Sequence, residues 1–206
     1  MKKQLFITFE GTEGCGKSTQ VQLLKVALEQ KGHETLVTRE PGGPPVSEAI
    51  RKILLDPSYL EMLPETELLL YMASRSQHTG QWIAPALQAG KIVICDRYND
   101  STIAYQGAAR DLDQSFIASL ASFATFGLRP DITFLIDLPV QIGMSRIKQR
   151  ALDRLELESV AFHQKVRDQY LEIAKKEHLR YVVINGTQSV EEIHQEILQA
   201  VLGRMP

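Results

Sequence analysis

Gly11-Thr12-Glu13-Gly14-Cys15-Gly16-Lys17-Ser18 sets three glycines, a lysine and a hydroxyl in the spacing G-x-x-x-x-G-K-[ST]. That spacing suits a polyphosphate. The glycines let the backbone curl until its N–H groups converge on phosphate oxygens. A helix that starts within the loop adds its positive dipole end, so Thr19 belongs to the same anion site. Lys17 reaches the β- and γ-phosphates of a nucleoside triphosphate, and Ser18 offers a hydroxyl to Mg²⁺. Asp96 closes an apolar run, the usual place for the acidic partner of such a loop and its metal ion.

Other residues offer a second anion site. Arg39 follows one strand-like run and Arg97 another, and each guanidinium can clamp a phosphate with two parallel hydrogen bonds. Taken singly, each reads equally well as a surface arginine beside a carboxylate. Together, at strand ends next to a phosphate loop, they point to a site. Tyr71 and Arg75 are four apart and share a helix face. Spacing alone favours core packing for Tyr71 and a surface ion pair for Arg75. Asp137 also ends a strand but precedes Leu138-Pro139 and reads as loop or cap chemistry. The five histidines show no metal-ligand spacing, so solvated or capping roles are expected for them.

The elements that must hold these residues alternate regularly. Apolar runs at 5–9, 34–38, 92–95, 132–136 and 181–184 predict five strands. Helical spacing occupies 17–31, with Val21, Leu24, Ala27 and Leu28 on one face, and Gly32 ends it. Further helices are expected at 46–54, 65–89 with a bend near Pro85, 114–126, 140–149, 155–176 and 190–202. Continuous apolar strands separated by helices predict an α/β fold, a five-stranded parallel sheet with helices on both faces. Ligands in such sheets sit beyond the carboxyl ends of the strands. The loops after 9, 38, 95, 136 and 184 are therefore the place to look.

Composition narrows the classes. The chain has 206 residues, the size of a single domain, with no repeat or linker. Its formal charge of −2 argues against a general nucleic-acid or membrane surface, so anion sites must be local. No stretch approaches the length of a membrane span. Met1-Lys2-Lys3 runs straight into a strand too short for a signal peptide. Two cysteines, Cys15 and Cys95, fit reduced thiols in a cytoplasmic protein better than a disulfide scaffold.

Taken together, Phe9 to Ser18, Thr38-Arg39-Glu40-Pro41-Gly42-Gly43, Ala73-Ser74-Arg75, Asp96-Arg97-Tyr98, Ala104-Tyr105-Gln106-Gly107, Arg129-Pro130-Asp131 and Asp153-Arg154-Leu155-Glu156 resemble the thymidylate kinases. The resemblance spans nearly the whole chain. It implies a P-loop NTPase three-layer sandwich, ATP and dTMP as substrates, Mg²⁺ as cofactor, and a homodimer. It implies that Glu13 approaches the dTMP sugar hydroxyl and that Arg39, Arg51 and Arg97 surround its phosphate. It implies that Tyr71, commonly Phe in the family, stacks on thymine and that Arg75, Ser101, Thr102 and Gln106 line or read the base. Tyr105 matches the residue beneath the sugar, and Pro41 matches a cis-proline.

The region 143–154 resembles a mobile lid that carries Arg146, Lys148, Arg150 and Arg154. In part of the family a catalytic arginine sits in the phosphate loop. Here that position is Gly14, so the lid must supply the charge. Arg150 is the expected donor, with Arg146, also an expected ATP contact, and Arg154 as rivals. The lid sequence departs from the usual bacterial pattern, reading Gln149-Arg150-Ala151-Leu152-Asp153. Lys17, Arg97, Arg150 and Glu13 are thus the expected catalytic group. The alternatives are another P-loop nucleotide or deoxynucleoside kinase, or a nucleotide-binding switch. The switch would need a guanine-reading Asn-Lys-x-Asp segment, which the chain lacks.

Overall fold

A computed structural model describes residues 5–205, so Met1-Lys2-Lys3 lies outside the described part. The strands are β1 (Phe6–Glu10), β2 (Thr35–Arg39), β3 (Ile92–Asp96), β4 (Ile132–Asp137) and β5 (Tyr181–Asn185). All pairings are parallel, in the order β2-β3-β1-β4-β5. β1 therefore lies between β3 and β4, where the order reverses and a crevice opens at the carboxyl ends.

Side-chain alternation along β1 assigns the faces. Ile7 and Phe9 pack with Val21, Leu24 and Leu28 of α1 (Lys17–Gln30) and with Ile193, Ile197 and Val201 of α9 (Val190–Leu202). Phe6 points to the other face and meets Ile83, Leu87 and Tyr98. That second face also buries polar groups. The Thr8 and Thr133 hydroxyls lie 2.8 Å apart, and Arg180 donates to Thr133 and Asp100. Glu10, at the end of the same face, is fully buried.

The remaining helices are α2 (Pro45–Leu55), α3 (Pro64–His78), α4 (Ala84–Gln88), α5 (Asn99–Thr102), α6 (Gln114–Ala124), α7 (Val140–Ile147) and α8 (Val160–Lys176). Two differences from the expected boundaries have local causes. The long helix expected at 65–89 is interrupted by a π-helical turn at Thr79–Ile83, just ahead of Pro85. Pro85 has no N–H to give the preceding turn, and the Ala84 N–H reaches Thr79 O instead. The helix expected from 155 begins at Val160. Asp153 Oδ1 accepts the N–H groups of Leu155 and Glu156, each at 3.0 Å, which folds that stretch into a turn. Ser159 then caps α8 through Phe162 N–H at 3.1 Å. A second π-helical stretch, Ile103–Ala109, follows α5 and carries Tyr105 and Gln106.

Candidate active site

The loop after β1 holds itself curled. Lys17 Nζ donates to the carbonyls of Gly11 and Thr12, both at 2.9 Å, and lies 3.5 Å from Cys15 Sγ. Gly16, the residue before α1, makes no side-chain cap, so the first-turn amides remain available to an anion. Thr12 Oγ1 is buried without a hydrogen-bond partner among the described residues. Ser18 Oγ donates to Asp96 Oδ2 at 2.7 Å, joining the loop to the end of β3. Gly14 has φ 69°, and a Cβ there would collide with the Gly143 carbonyl of α7. A Cβ on Gly143 would collide in turn with Glu13 O. The two bare backbones interlock, which leaves no room for an arginine in the loop.

Facing this loop is a cluster around Glu13 and Arg97. Arg97 sits in the left-handed region at φ 70°, unusual for a side chain this large. Its N–H still bonds Phe9 O of β1 at 2.9 Å. Its guanidinium donates to Glu13 Oε1 at 2.8 Å and to Tyr170 Oη at 3.1 Å, and lies 5.1 Å from the Tyr105 ring centroid. Tyr105 donates its hydroxyl to the same Glu13 oxygen. Burial works to raise the Glu13 carboxyl, but the Arg97 charge, with His163 and Lys17, holds it well below the usual range.

A cavity of about 260 Å³ joins both groups. Its walls include Glu13, Gly14, Lys17, Ser18, Asp96 and Arg97, and also Arg39, Arg51, Tyr71, Arg75, Ser101, Thr102, Tyr105, Gln106 and Arg150. Gly11, Thr12, Cys15 and Gly16 shape the loop behind it and Thr19 lies in the first turn of α1, all outside that lining. Arg39 is half-exposed and paired with Glu48 at 3.1 Å. Arg51 donates to Pro41 O at 2.6 Å. Burial, and next the neighbouring Arg39 charge, lower the Arg51 pKa, as expected of two cations facing one space. The Glu40–Pro41 bond is cis.

Arg75 departs from the surface ion pair that its spacing suggests. It is 2% exposed and donates to Glu40 at 2.6 Å, Thr102 at 2.8 Å and Tyr98 O at 2.9 Å. Glu40 also meets His78 Nδ1 at 2.9 Å, and His78 Nε2 lies 2.7 Å from Thr38 Oγ1. His78, His163 and His194 are buried, against the solvated roles expected of them. Asp137 takes an ion pair from Arg167 at 2.7 Å. Gln106 donates its amide to Glu67 at 2.7 Å, which turns its carbonyl oxygen away from that carboxylate.

The three arginines of the expected lid separate clearly. Arg154 is buried, donating to Leu54 O at 2.9 Å and pairing with Glu67 at 2.6 Å. Arg146 reaches Gly14 O at 3.0 Å on the exposed side of the loop. Arg150 lines the cavity and pairs with Glu156.

Sequence reasoning passed over Glu10, Glu40, His163 and Tyr170, which reach the site from β1, the end of β2 and α8. Glu10 accepts from Tyr98 N–H at 2.8 Å, Ser101 at 2.6 Å and Tyr170 at 2.8 Å. Burial, then repulsion from Asp100, push its pKa up to about 7, against the pull of Arg97 and these donors. The folded state therefore holds a proton that an unfolded glutamate loses near its ordinary value of 4.5. This contribution is fully present below that value and is lost as pH rises toward 7. Glu10→Gln keeps the hydrogen bonds by reversing two hydroxyls. Its stability relative to the parent should rise between pH 5 and 8, by on the order of 3 kcal/mol. Parallel denaturation profiles across that range would refute the assignment.

The comparisons agree with this geometry. Residues 9–197 match the family described as Thymidylate kinase. The thymidylate kinase of Geotalea uraniireducens is 51% identical over 207 residues, covering 97% of each chain. That of Carboxydothermus hydrogenoformans is 49% identical over 193 residues, 93% of this chain and 94% of its own. The crystal structure of the thymidylate kinase from Ehrlichia chaffeensis superposes with a TM-score of 0.81 at 34% identity, covering 96% of this chain and 98% of that one. Fold, cleft and relatives converge, and the chain belongs to the thymidylate kinase family.

Proposed function

We propose that the chain transfers the γ-phosphoryl group of ATP to dTMP, giving ADP and dTDP, and that one cleft performs the transfer. The observation that carries this is the shared cavity. Lys17, Ser18 and Asp96 line one side, and Arg97, Arg39 and Arg51 line another.

A phosphate monoester has its second pKa near 6, so dTMP enters mostly as the dianion. The nucleophile needs no general base, and catalysis reduces to positioning and charge neutralisation. Lys17 and the loop amides oppose the charge of the transferred group. Arg97, Arg39 and Arg51 hold the acceptor phosphate, and an anion between the last two relieves their mutual repulsion. Glu13 and Tyr105 fix Arg97 in place, and Tyr105 floors the sugar. Arg150 is the lid arginine for the γ-phosphate, because it alone of the three lines the cavity. Its lid comprises residues 143–154 of one 206-residue unit. Closure would exclude water and suppress ATP hydrolysis.

Ser18 and Asp96 would hold Mg²⁺. Their hydroxyl and carboxylate oxygens suit a hard cation, and among the described residues no cluster of three His, Cys, Asp or Glu offers an all-protein site. When bound, the ion neutralises part of the phosphate charge.

Thymine is read by complementarity. The Gln106 carbonyl suits the N3–H of thymine, and Arg75 suits its O4, while Tyr71 stacks on the ring. Cytosine presents an acceptor and a donor at those same positions. In a coupled ADP-release assay with ATP and Mg²⁺, dTMP should turn over at least about 10²-fold more efficiently than dCMP. Comparable rates on dCMP, or transfer to thymidine, would point to a different kinase.

Leu69, Phe116, Phe123 and Phe126 of α3 and the α6 region are exposed, while Leu68, Met72, Ile117 and Ala121 between these helices are buried. We assign that outer apolar face to a homodimer and the enzyme to the cytoplasm. Among the described residues no helix is long and apolar enough to cross a membrane. Light scattering of the parent and of Phe123→Asp checks the dimer: a monomeric parent would refute it. Cell fractionation checks the location.

A further inference from the structure

His163 lies on α8, fully buried, next to the edge of Phe162. Its Nδ1 is 3.3 Å from Glu13 Oε2, off the line of a good hydrogen bond. Among the described residues neither ring nitrogen has another partner. Burying an imidazole without a partner is costly, so a placement this close to one carboxylate oxygen calls for a reason. Glu13 supplies it. Its Oε1 takes both Arg97 Nη2, at 2.8 Å, and the Tyr105 hydroxyl. Among the described residues its Oε2 has no hydrogen-bond partner, and the His163 ring lies beside it. A carboxylate gripped at one oxygen can swing about its Cγ–Cδ bond, and Arg97 would swing with it.

We propose that His163 is a positioning residue for the transfer: its Nδ1–H steadies the second oxygen of Glu13, and thereby sets the angle at which Arg97 meets the acceptor phosphate. The Nδ1–H tautomer follows from the carboxylate it faces. Contacts of this kind are often long in a free enzyme and shorten when substrate is bound. Among the described residues Nε2 has no partner to lose, so an apolar replacement removes the one polar contact, the donor to Glu13. The inference rests on the dTMP kinase reading above.

The test compares His163→Phe, His163→Leu and His163→Asn with the parent, in steady-state kinetics and thermal melts. An asparagine amide can place its N–H near the position of Nδ1, whereas phenylalanine and leucine cannot. Whichever apolar variant folds should lose about tenfold or more in kcat, with KM for ATP unchanged, because a misplaced clamp impairs alignment and not nucleotide binding. His163→Asn should recover to within about threefold of the parent. Apolar variants with parental kcat would overturn the proposal. So would an equal loss in all three variants, which would mean that the ring serves packing. A parent that fails to phosphorylate dTMP would instead overturn the kinase reading, and the inference with it.

Discussion

Arg97→Ala should lower kcat/KM for dTMP by about 10³-fold, equivalent to about 4 kcal/mol of transition-state stabilisation. The size follows from how much the structure invests in this side chain. Its backbone is held at φ 70°, a conformation that costs on the order of 1–3 kcal/mol for a residue other than glycine. Its guanidinium is pinned by Glu13 and Tyr170 and stacked on Tyr105. A preorganised cation does not reorganise when charge develops opposite it, which is what makes such groups effective. Arg97→Lys keeps the charge but loses the fork, so it should recover only part of the loss. Steady-state kinetics with dTMP varied at saturating ATP checks both variants. Retention of parental efficiency by Arg97→Ala would remove the residue from the acceptor site.

Lys17→Ala should reduce kcat by a similar factor, about 10³-fold, for a different reason. Lys17 donates to Gly11 O and Thr12 O, so its ammonium already lies within the loop proposed to cradle phosphate. Its loss removes a charge beside the transferred group and also two hydrogen bonds that keep the loop curled. Each such bond contributes about 1 kcal/mol, so a modest fall in stability should accompany the kinetic defect. Single-turnover transfer separates the two effects. Parental transfer rates at saturating ATP would contradict the role.

The sheet and the phosphate loop were legible because their signals are local. A continuous apolar run reads as a buried parallel strand, and the glycine-lysine-serine spacing has few other uses. The same locality explains what was missed. Thr8 and Glu10 look like the tail of an apolar run, yet the sheet alternation turns them onto the polar face. Arg75 reads as a surface cation because nothing in its neighbourhood announces Glu40, which is 35 positions away and pairs with it inside the protein. Tyr170 and His163 come from α8 and meet β1 and its loop only through the sheet topology. The Gly14–Gly143 interlock likewise depends on the phosphate loop and α7 converging. Arg154 and Arg150 are close in sequence, but the turn made by Asp153 sends one inward and leaves the other on the cleft.

The account as a whole requires the donor and acceptor anions to be held by separate residues of one cleft. Calorimetric titration of dTMP into the parent, Arg97→Ala and Lys17→Ala, with no ATP present, tests this directly. The prediction is that Arg97→Ala weakens Kd by about 10²-fold, while Lys17→Ala binds dTMP as the parent does. Undiminished binding to Arg97→Ala, or an equal loss in Lys17→Ala, would contradict it.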